Sequence, residues 1–286
     1  MIDAAVSAWT CLRGSADDLV TEETVRVAVE AALAAGDIQR GALGGLGRSD
    51  VRSKSSRRDL VTTVDVASER AIVSRLRALS SPHAIEAEEE IHDEEDGGPR
   101  WFVDPLDGTV NFFHGLPLFC VSIALYRGTQ PVLGVVHAPA LGETFVSAAG
   151  AGAHLLGGAG TGQERLCVAL ETEDLGDAVL ATGFPYRRGE LEHSNLENFG
   201  RFFHEVRGMR RMGSAALDLA FVAAGRIDGF WELHLSPFDV AAGAALVLEA
   251  GGAVTDATGG QDWLRGGSIV AAPERLGALM RSRIEA

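Results

Sequence analysis

The sequence predicts an α+β half joined to an α/β half. Two amphipathic helical patterns come first. Short apolar runs separated by turn residues follow, as in an antiparallel sheet. Helical and strand-like patterns then alternate to the end of the chain. A length of 286 residues accommodates one large domain or two medium ones. The expected division is an N-terminal extension over 1–20, an α+β half over 21–157 and an α/β half over 158–286.

The opening segment MIDAAVSAWTCLRGSADDLV has no basic stretch followed by an apolar one. It reads as a loosely held extension, not a signal peptide. From Thr21 to about Gly41 the chain is rich in alanine and valine with early glutamates, which predicts a long helix capped by Thr21. A second helix is expected from near Asp65. Val66, Ile72, Val73, Leu76 and Leu79 form its apolar stripe, and Pro82 ends it. The basic stretch Arg52–Arg58 between them must be a loop or hairpin. Strands are expected at Trp101–Val103, Cys120–Tyr126, Val132–Val136 and Thr144–Ser147. In the second half, helices are expected near Leu191–Glu205, Ala215–Ala224, Asp239–Ala250 and Pro273–Ile284. Strands are expected near Gly229–Trp231, Ala253–Thr255 and Ile269–Ala271. The glycine-dense stretch 157–162 lacks the spacing of a dinucleotide fingerprint and the lysine of a P-loop, and so reads as a surface turn.

Composition narrows the function. No apolar run approaches the roughly 18 residues of a membrane span. The three cysteines, Cys11, Cys120 and Cys167, are sparse and odd in number, which argues for free thiols in a reducing compartment. A net charge of −15 opposes nucleic acid and anionic membranes. Cytoplasmic location is the expectation. For a phosphorylated substrate such a chain needs local positive charge at its site, and a bound metal supplies it compactly.

The most informative stretch is WFVDPLDGTVNF at 101–112. An apolar strand ends at Asp104, Pro105 forces a turn, and Asp107 follows three residues after the first aspartate. Gly108 lets the backbone approach a ligand, and Thr109 adds a hydroxyl. Two carboxylates and a backbone carbonyl at a strand end suit a hard cation. An EF-hand does not fit, because its third and fifth positions would be Leu106 and Gly108. Among Glu86, Glu88, Glu89 and Glu90, one or two carboxylates at a strand end could turn inward. Asp239, in SPFDVAAG, stands where a helix begins and reads equally as an N-cap or a ligand. Two carboxylates about 4 Å apart repel by roughly 4 kcal/mol at an effective dielectric near 20. A cluster of four therefore calls for two or three divalent cations such as Mg²⁺, which would also bind phosphate and activate water.

These residues carry a resemblance. The chain is similar to the inositol monophosphatase family, lithium-sensitive magnesium phosphatases of the fructose-1,6-bisphosphatase superfamily. DPLDGTVNF at 104–112 and FDVAAG…EAGG at 238–252 are the most specific pieces. DLVTTVD at 59–65, AEE at 87–89, ATGFPY at 181–186, GSAALDLA at 213–220 and DGFWE at 228–232 follow in the family's order. The resemblance implies a layered α-β-α-β-α sandwich, a homodimer and a Mg²⁺ cofactor, two or three ions per site. It assigns Glu88, Asp104 and the Leu106 carbonyl to one metal, and Asp104, Asp107 and Asp239 to another. Glu88 and Thr109 would orient the attacking water. Gly108 and Thr109 would donate backbone N–H groups to the phosphate. Gly213, Ser214, Ala215 and Glu232 would line the alcohol pocket, with Asp239 touching substrate as well. Lys54 and Asp65 match a mobile loop and a helix-start carboxylate near a third metal. The family's Gly-Glu-Glu is Ala87-Glu88-Glu89 here, so Glu88 is the expected ligand and Glu89 the alternative. Its tryptophan before the last aspartate is Phe238. The implied reaction is direct attack of water on a phosphate monoester, with inositol monophosphate as the leading substrate. Histidinol phosphate, fructose 1,6-bisphosphate and 3′-phosphoadenosine phosphates are the alternatives on the same fold. A non-catalytic binding or regulatory homologue, and more weakly a Ca²⁺ buffer, are the rivals from other classes.

Overall fold

The computed structural model describes residues 4–47, 51–53, 60–94, 97–158, 163–191 and 193–285. Helices α1 (Ala4–Leu12), α2 (Glu22–Ala42) and α3 (Thr63–Leu76) form the first layer. The hairpin of β1 (Val51–Ser53) and β2 (Leu60–Thr62) leads into α3. The second layer is a seven-stranded sheet in chain order. It comprises β3 (Ala84–Ala87), β4 (Pro99–Asp107), β5 (Cys120–Arg127), β6 (Gln130–Ala138), β7 (Glu143–Ala148), β8 (Gly152–Gly157) and β9 (Gln163–Arg165). Neighbours are antiparallel except the β3–β4 pair, which is parallel. The short helix α4 (Thr109–Phe113) follows β4.

The remaining layers come from the second half. Strands β10 (Val179–Thr182), β11 (Gly208–Arg210), β12 (Gly229–Leu233), β13 (Ala253–Thr255) and β14 (Ser268–Ala272) form a sheet ordered β11-β10-β12-β14-β13. Helices α6 (Ala215–Ala223) and α7 (Pro237–Glu249) lie between the two sheets. Helices α5 (Leu196–Phe203) and α8 (Glu274–Arg281) cover the far face, where Phe202, Trp231, Leu276 and Met280 pack together. The result is the α-β-α-β-α sandwich that the resemblance implies.

Burial explains the composition of each layer. Successive residues of a strand face opposite sides. Trp101 therefore packs with Ile72 and Leu76 of α3, whereas Phe102 packs with Leu217 and Leu246 of α6 and α7. Helices α6 (AALDLAFVA) and α7 (PFDVAAGAALVLE) are apolar nearly all round, because sheets cover them on both sides. Helix α2 starts as expected, with the Thr21 hydroxyl accepting the Thr24 N–H. At α3, Thr62 and Asp65 complete a capping box. Tyr126 joins β5 to α7, its hydroxyl donating to the Ala241 carbonyl at 2.8 Å.

Several expectations need correction. The segment from Ala4 on is not loosely held. Ala5, Ala8 and Leu12 of α1 are fully buried against the first layer, and Ser15 and Gln163 tie the segment down through hydrogen bonds to Ala149 O and Ser7 O. The alanine-rich start had simply disguised an amphipathic turn of helix. Helix α3 ends at Leu76, ahead of Pro82, in a turn. Helix α5 begins only at Leu196, because Asn195 takes a left-handed conformation with φ 71°. The first sheet runs on to Arg165, past residue 157. Strands β8 to β11 had no clear expectation. Of the glycine stretch, 159–162 lie outside the described residues. Lys54, like 55–59, also lies outside them.

Helix α1 adds a full layer of contacts at one end of the core. Leu12→Ala should cost about 2–5 kcal/mol in urea unfolding while leaving any catalytic turnover unchanged, since α1 is remote from the carboxylates described below.

Candidate active site

The two aspartates of DPLD come together through a break in a strand ladder. In a regular strand, residues three apart face opposite sides. Here Asp104 pairs with Ser122 and Asp107 with Cys120, so the register shifts between them. Pro105 has no N–H for the ladder, and the resulting bulge re-aims both carboxylates. The Gln39 side chain of α2, fully buried, donates to the Pro105 carbonyl at 2.7 Å and holds the bulge. Gly108 closes it at φ 94°, where a Cβ would lie 2.9 Å from the Leu118 carbonyl, so only glycine fits.

The parallel register of β3 on β4 supplies the third carboxylate. Ala87 pairs with Val103, and the Glu88 N–H donates to the Val103 carbonyl at 3.1 Å. Glu88 thus emerges beside Asp104, and the two carboxyl groups share a hydrogen bond. The fourth arrives on α7. Ser236, not Asp239, is the N-cap of that helix; Asp239 is its third residue, accepts the Ser236 N–H at 2.7 Å to complete a capping box, and faces the cluster.

Helix α6 completes the arrangement. Asp107 Oδ2 accepts the Ser214 hydroxyl at 2.8 Å and the Ala216 N–H at 2.7 Å. Asn111 joins the halves, donating to Leu118 O at 2.6 Å and Met212 O at 2.7 Å. Thr109 reaches both Asp65 Oδ1 at 3.0 Å and the Leu106 carbonyl at 3.1 Å.

A cavity of about 310 Å³ opens over these groups. Glu88, Asp107, Asp239, Gly213, Ser214, Ala215, Asp218 and Glu232 line it. Phe184, Tyr186, Arg211, His234 and Phe238 also face it. Glu232 lies against Gly183, where a Cβ would come within 2.1 Å of its carboxylate. Gly183 is held in turn by Asn195, which donates to the Gly183 carbonyl at 2.7 Å and accepts from the Trp231 indole at 2.8 Å.

Of the residues expected at the site, Asp104, Leu106, Gly108 and Thr109 are buried behind the lining residues rather than on the cavity surface. Asp65 stands behind Thr109. Glu89 is not a lining residue, and Lys54 lies outside the described residues. Among the described residues, no three acidic, histidine or cysteine side chains stand at the spacing of a closed cation cage. Asp107 and Asp239 each turn an oxygen toward protein N–H donors instead, as mutually repelling carboxylates do.

Sequence reasoning missed several groups. Asp218, 1% exposed and one turn beyond Ser214 on α6, leaves Oδ1 without a hydrogen-bond partner among the described residues. Its only trace was its place within GSAALDLA. Arg211 is exposed at the rim and offsets charge on Asp107 and Glu232. Cys120 Sγ sits 3.5 Å from the Ser214 hydroxyl, beneath Asp107. Asn195 carried no local signal at all.

Burial, then mutual repulsion, sets the electrostatics. Burial raises Asp104 well above its usual range, and Glu88, Asp107 and Asp239 add to the rise. Burial lifts Asp239 likewise, with Glu88 and Asp107 contributing. Asp107 is pushed up to about 7 by burial, against the Ser214 and Ala216 hydrogen bonds. Burial takes Glu232 to about 8, partly countered by Arg211. Asp218 is raised by burial and by Glu232. Asp65 rises to about 6, again chiefly through burial. The donor set, four carboxylates and a carbonyl facing few protein cations, fits hard divalent ions.

These shifts make stability depend on pH with a definite sign. The folded state holds protons that the unfolded state releases near pH 4, so stability contributed by these groups is lost as pH rises. For chelator-treated protein, the thermal midpoint should fall between pH 5.5 and pH 8. Asp218→Asn should flatten that fall, and an unchanged slope in scanning calorimetry would contradict the assignment.

Comparisons with known proteins identify the family. The profile described as "Inositol monophosphatase family" matches residues 20–285. The chain is 51% identical over 181 residues to the inositol-1-monophosphatase of Mesorhizobium japonicum, a match spanning 63% of this chain and 65% of that relative. It is 42% identical over 225 residues to Nus factor SuhB of Escherichia coli strain K12, spanning 78% and 82% of the two chains. Among solved structures, the inositol monophosphatase of Anabaena (Nostoc) sp. PCC 7120 superposes with a TM-score of 0.78 at 38% identity, covering 90% of this chain and 93% of that one. The chain belongs to the inositol monophosphatase family, a family of phosphoric monoester hydrolases.

Proposed function

We propose that this protein hydrolyses the phosphate monoester of a small polyol, with inositol monophosphate the leading substrate, by a Mg²⁺-dependent attack of water. The observation that carries this reading is the meeting of carboxylates from three distant stretches, with Glu88, Asp107 and Asp239 on the wall of one polar cavity and Asp104 buried behind them. Glu88, Asp104, Asp107, Asp239 and the Leu106 carbonyl would hold Mg²⁺, which supplies the positive charge that polarises a phosphoryl oxygen and acidifies water. The homodimer implied by the family resemblance is part of the same reading.

The protein's own groups have separable tasks. The single proton of the Thr109 hydroxyl is committed to Asp65 or to the Leu106 carbonyl. The Thr109 oxygen is then left as an acceptor, which can take a hydrogen bond from one O–H of the nucleophilic water while the Glu88 carboxylate accepts one from the other. Asp107 is held by Ser214 and Ala216, so it reports on whether α6 is docked. Arg211 at the rim attracts the substrate dianion in an otherwise acidic protein. Glu232 and Asp218 face the alcohol end, where a leaving group with several hydroxyls can donate to them. A site built to pair hydroxyls rejects analogues that lack them. Catalysis is thus positioning and charge neutralisation, with no nucleophilic side chain.

Asp107→Asn or Asp239→Asn should lower kcat by at least about 100-fold, the scale of losing one electrostatic contributor, without changing the circular dichroism. A phosphate-release panel over inositol phosphates, histidinol phosphate, fructose 1,6-bisphosphate and adenosine phosphates checks the reaction. Activity should require Mg²⁺, vanish with chelator and fall with Li⁺. Turnover that survives chelation overturns the proposal. Glu232→Gln should raise KM for inositol monophosphate far more than for p-nitrophenyl phosphate. An equal effect on both substrates would remove the polyol assignment.

A further inference from the structure

The acidic run 86–90 presents a sorting problem. Four of its five residues are glutamates, and only one of them belongs at the cavity. Glu86 is claimed by Arg265 at 2.9 Å and by Arg100 at 3.8 Å. Glu90 pairs with Arg70 at 3.2 Å on the surface. Glu88 lines the cavity. A one-residue slip of this turn would exchange their places.

The turn is fixed amide by amide. The Ala87 N–H donates to Ile91 O at 2.7 Å, and the Glu88 N–H to Val103 O at 3.1 Å. The next two amides, those of Glu89 and Glu90, are both taken by one side chain, Glu69 on α3. Its Oε2 accepts the Glu89 N–H at 2.8 Å, and its Oε1 accepts the Glu90 N–H at 2.8 Å. Glu69 is 1% exposed. Paired backbone N–H groups in a turn make an anion-binding concavity, and a carboxylate fits it with two charge-assisted bonds. Asp65 lies one turn earlier on the same face of α3 and holds Thr109. A single helix face therefore reaches both groups proposed to orient water.

We propose that Glu69 is a positioning residue: its bidentate hold on the Glu89 and Glu90 amides sets the register of the turn and presents Glu88 to the cation-binding cluster. This rests on the phosphatase reading above. The physical demand is specific to a carboxylate. Glutamine would oppose an amide N–H with its own NH₂, and aspartate is one methylene short of the turn.

The test uses the full chain with Glu69→Gln, and Glu69→Asp should the first variant fail to fold. Leu12→Ala serves as a control of reduced stability remote from the site. Titration calorimetry of chelator-treated protein should show Mg²⁺ affinity reduced by about 10–100-fold in the Glu69 variant, the range for groups that orient metal ligands. At saturating Mg²⁺, kcat for inositol monophosphate should fall while KM stays within about twofold of the wild type, since the alcohol pocket is untouched. Amide exchange at Glu89 and Glu90 should accelerate in the variant and not in Leu12→Ala. Unchanged Mg²⁺ affinity, or the same loss in Leu12→Ala, overturns the proposal. Wild-type protein that binds Mg²⁺ and hydrolyses none of the phosphate panel would sink the functional reading instead, while the calorimetry still decides the role of Glu69.

Discussion

Burying several carboxylates in one place is the constraint around which this molecule is built. Asp104 is buried, Glu88, Asp107 and Asp239 are half-buried at the cavity wall, and their charges raise the energy of one another. Nothing in hydrophobic packing favours that arrangement, so the scaffold must impose it. It does so by aiming backbone donors at the acidic groups one by one. Asp104 takes the Leu106 N–H, Asp107 the Ala216 N–H, Asp239 the Ser236 N–H and Asp65 the Thr62 N–H. Each donor comes from a strand bulge or a helix start, the places where amides lack intrasegment partners. Irregular backbone and concentrated charge thus require each other here.

The same logic explains why the site sits where two layers meet. The bulged end of β4, the end of β3 and the first turns of α6 and α7 all terminate in one region. Asn111 bridges the layers by bonding carbonyls on both sides, and Tyr126 anchors α7 to β5. At the opposite edge, Arg226 forms a paired contact with Glu143 at 2.6 and 2.7 Å and lies over the Phe145 and Phe221 rings.

Much of this was legible in residue order, for reasons that can be named. The DPLD spacing is visible because proline and glycine have few conformations, so their positions constrain the backbone without tertiary help. The Thr21 cap is likewise local, whereas the Thr62 and Ser236 caps came only with the structure. Strands β4 to β7 were readable because burial on both faces leaves continuous apolar runs. Other features were not readable because their cause lies far along the chain. Asn195 is left-handed on account of Thr182, Gly183 and Trp231. Asp218 meets the site only after α6 docks. Helix α1 was misread because a short alanine-rich segment has little periodicity of its own, and its burial depends on β7 and β8. The placement of Glu88 over Glu89 could not come from a run of like residues. It depends on the parallel register with β4.

Helix α7 carries one more implication. It contributes Val240, Ala244 and Leu246 to the core between the sheets, and it also packs on β13 and β14 of the second one. Its first turn delivers Asp239. Neither half can peel away without stripping that helix of a wall, so opening either sheet also withdraws Asp239 from the acidic centre.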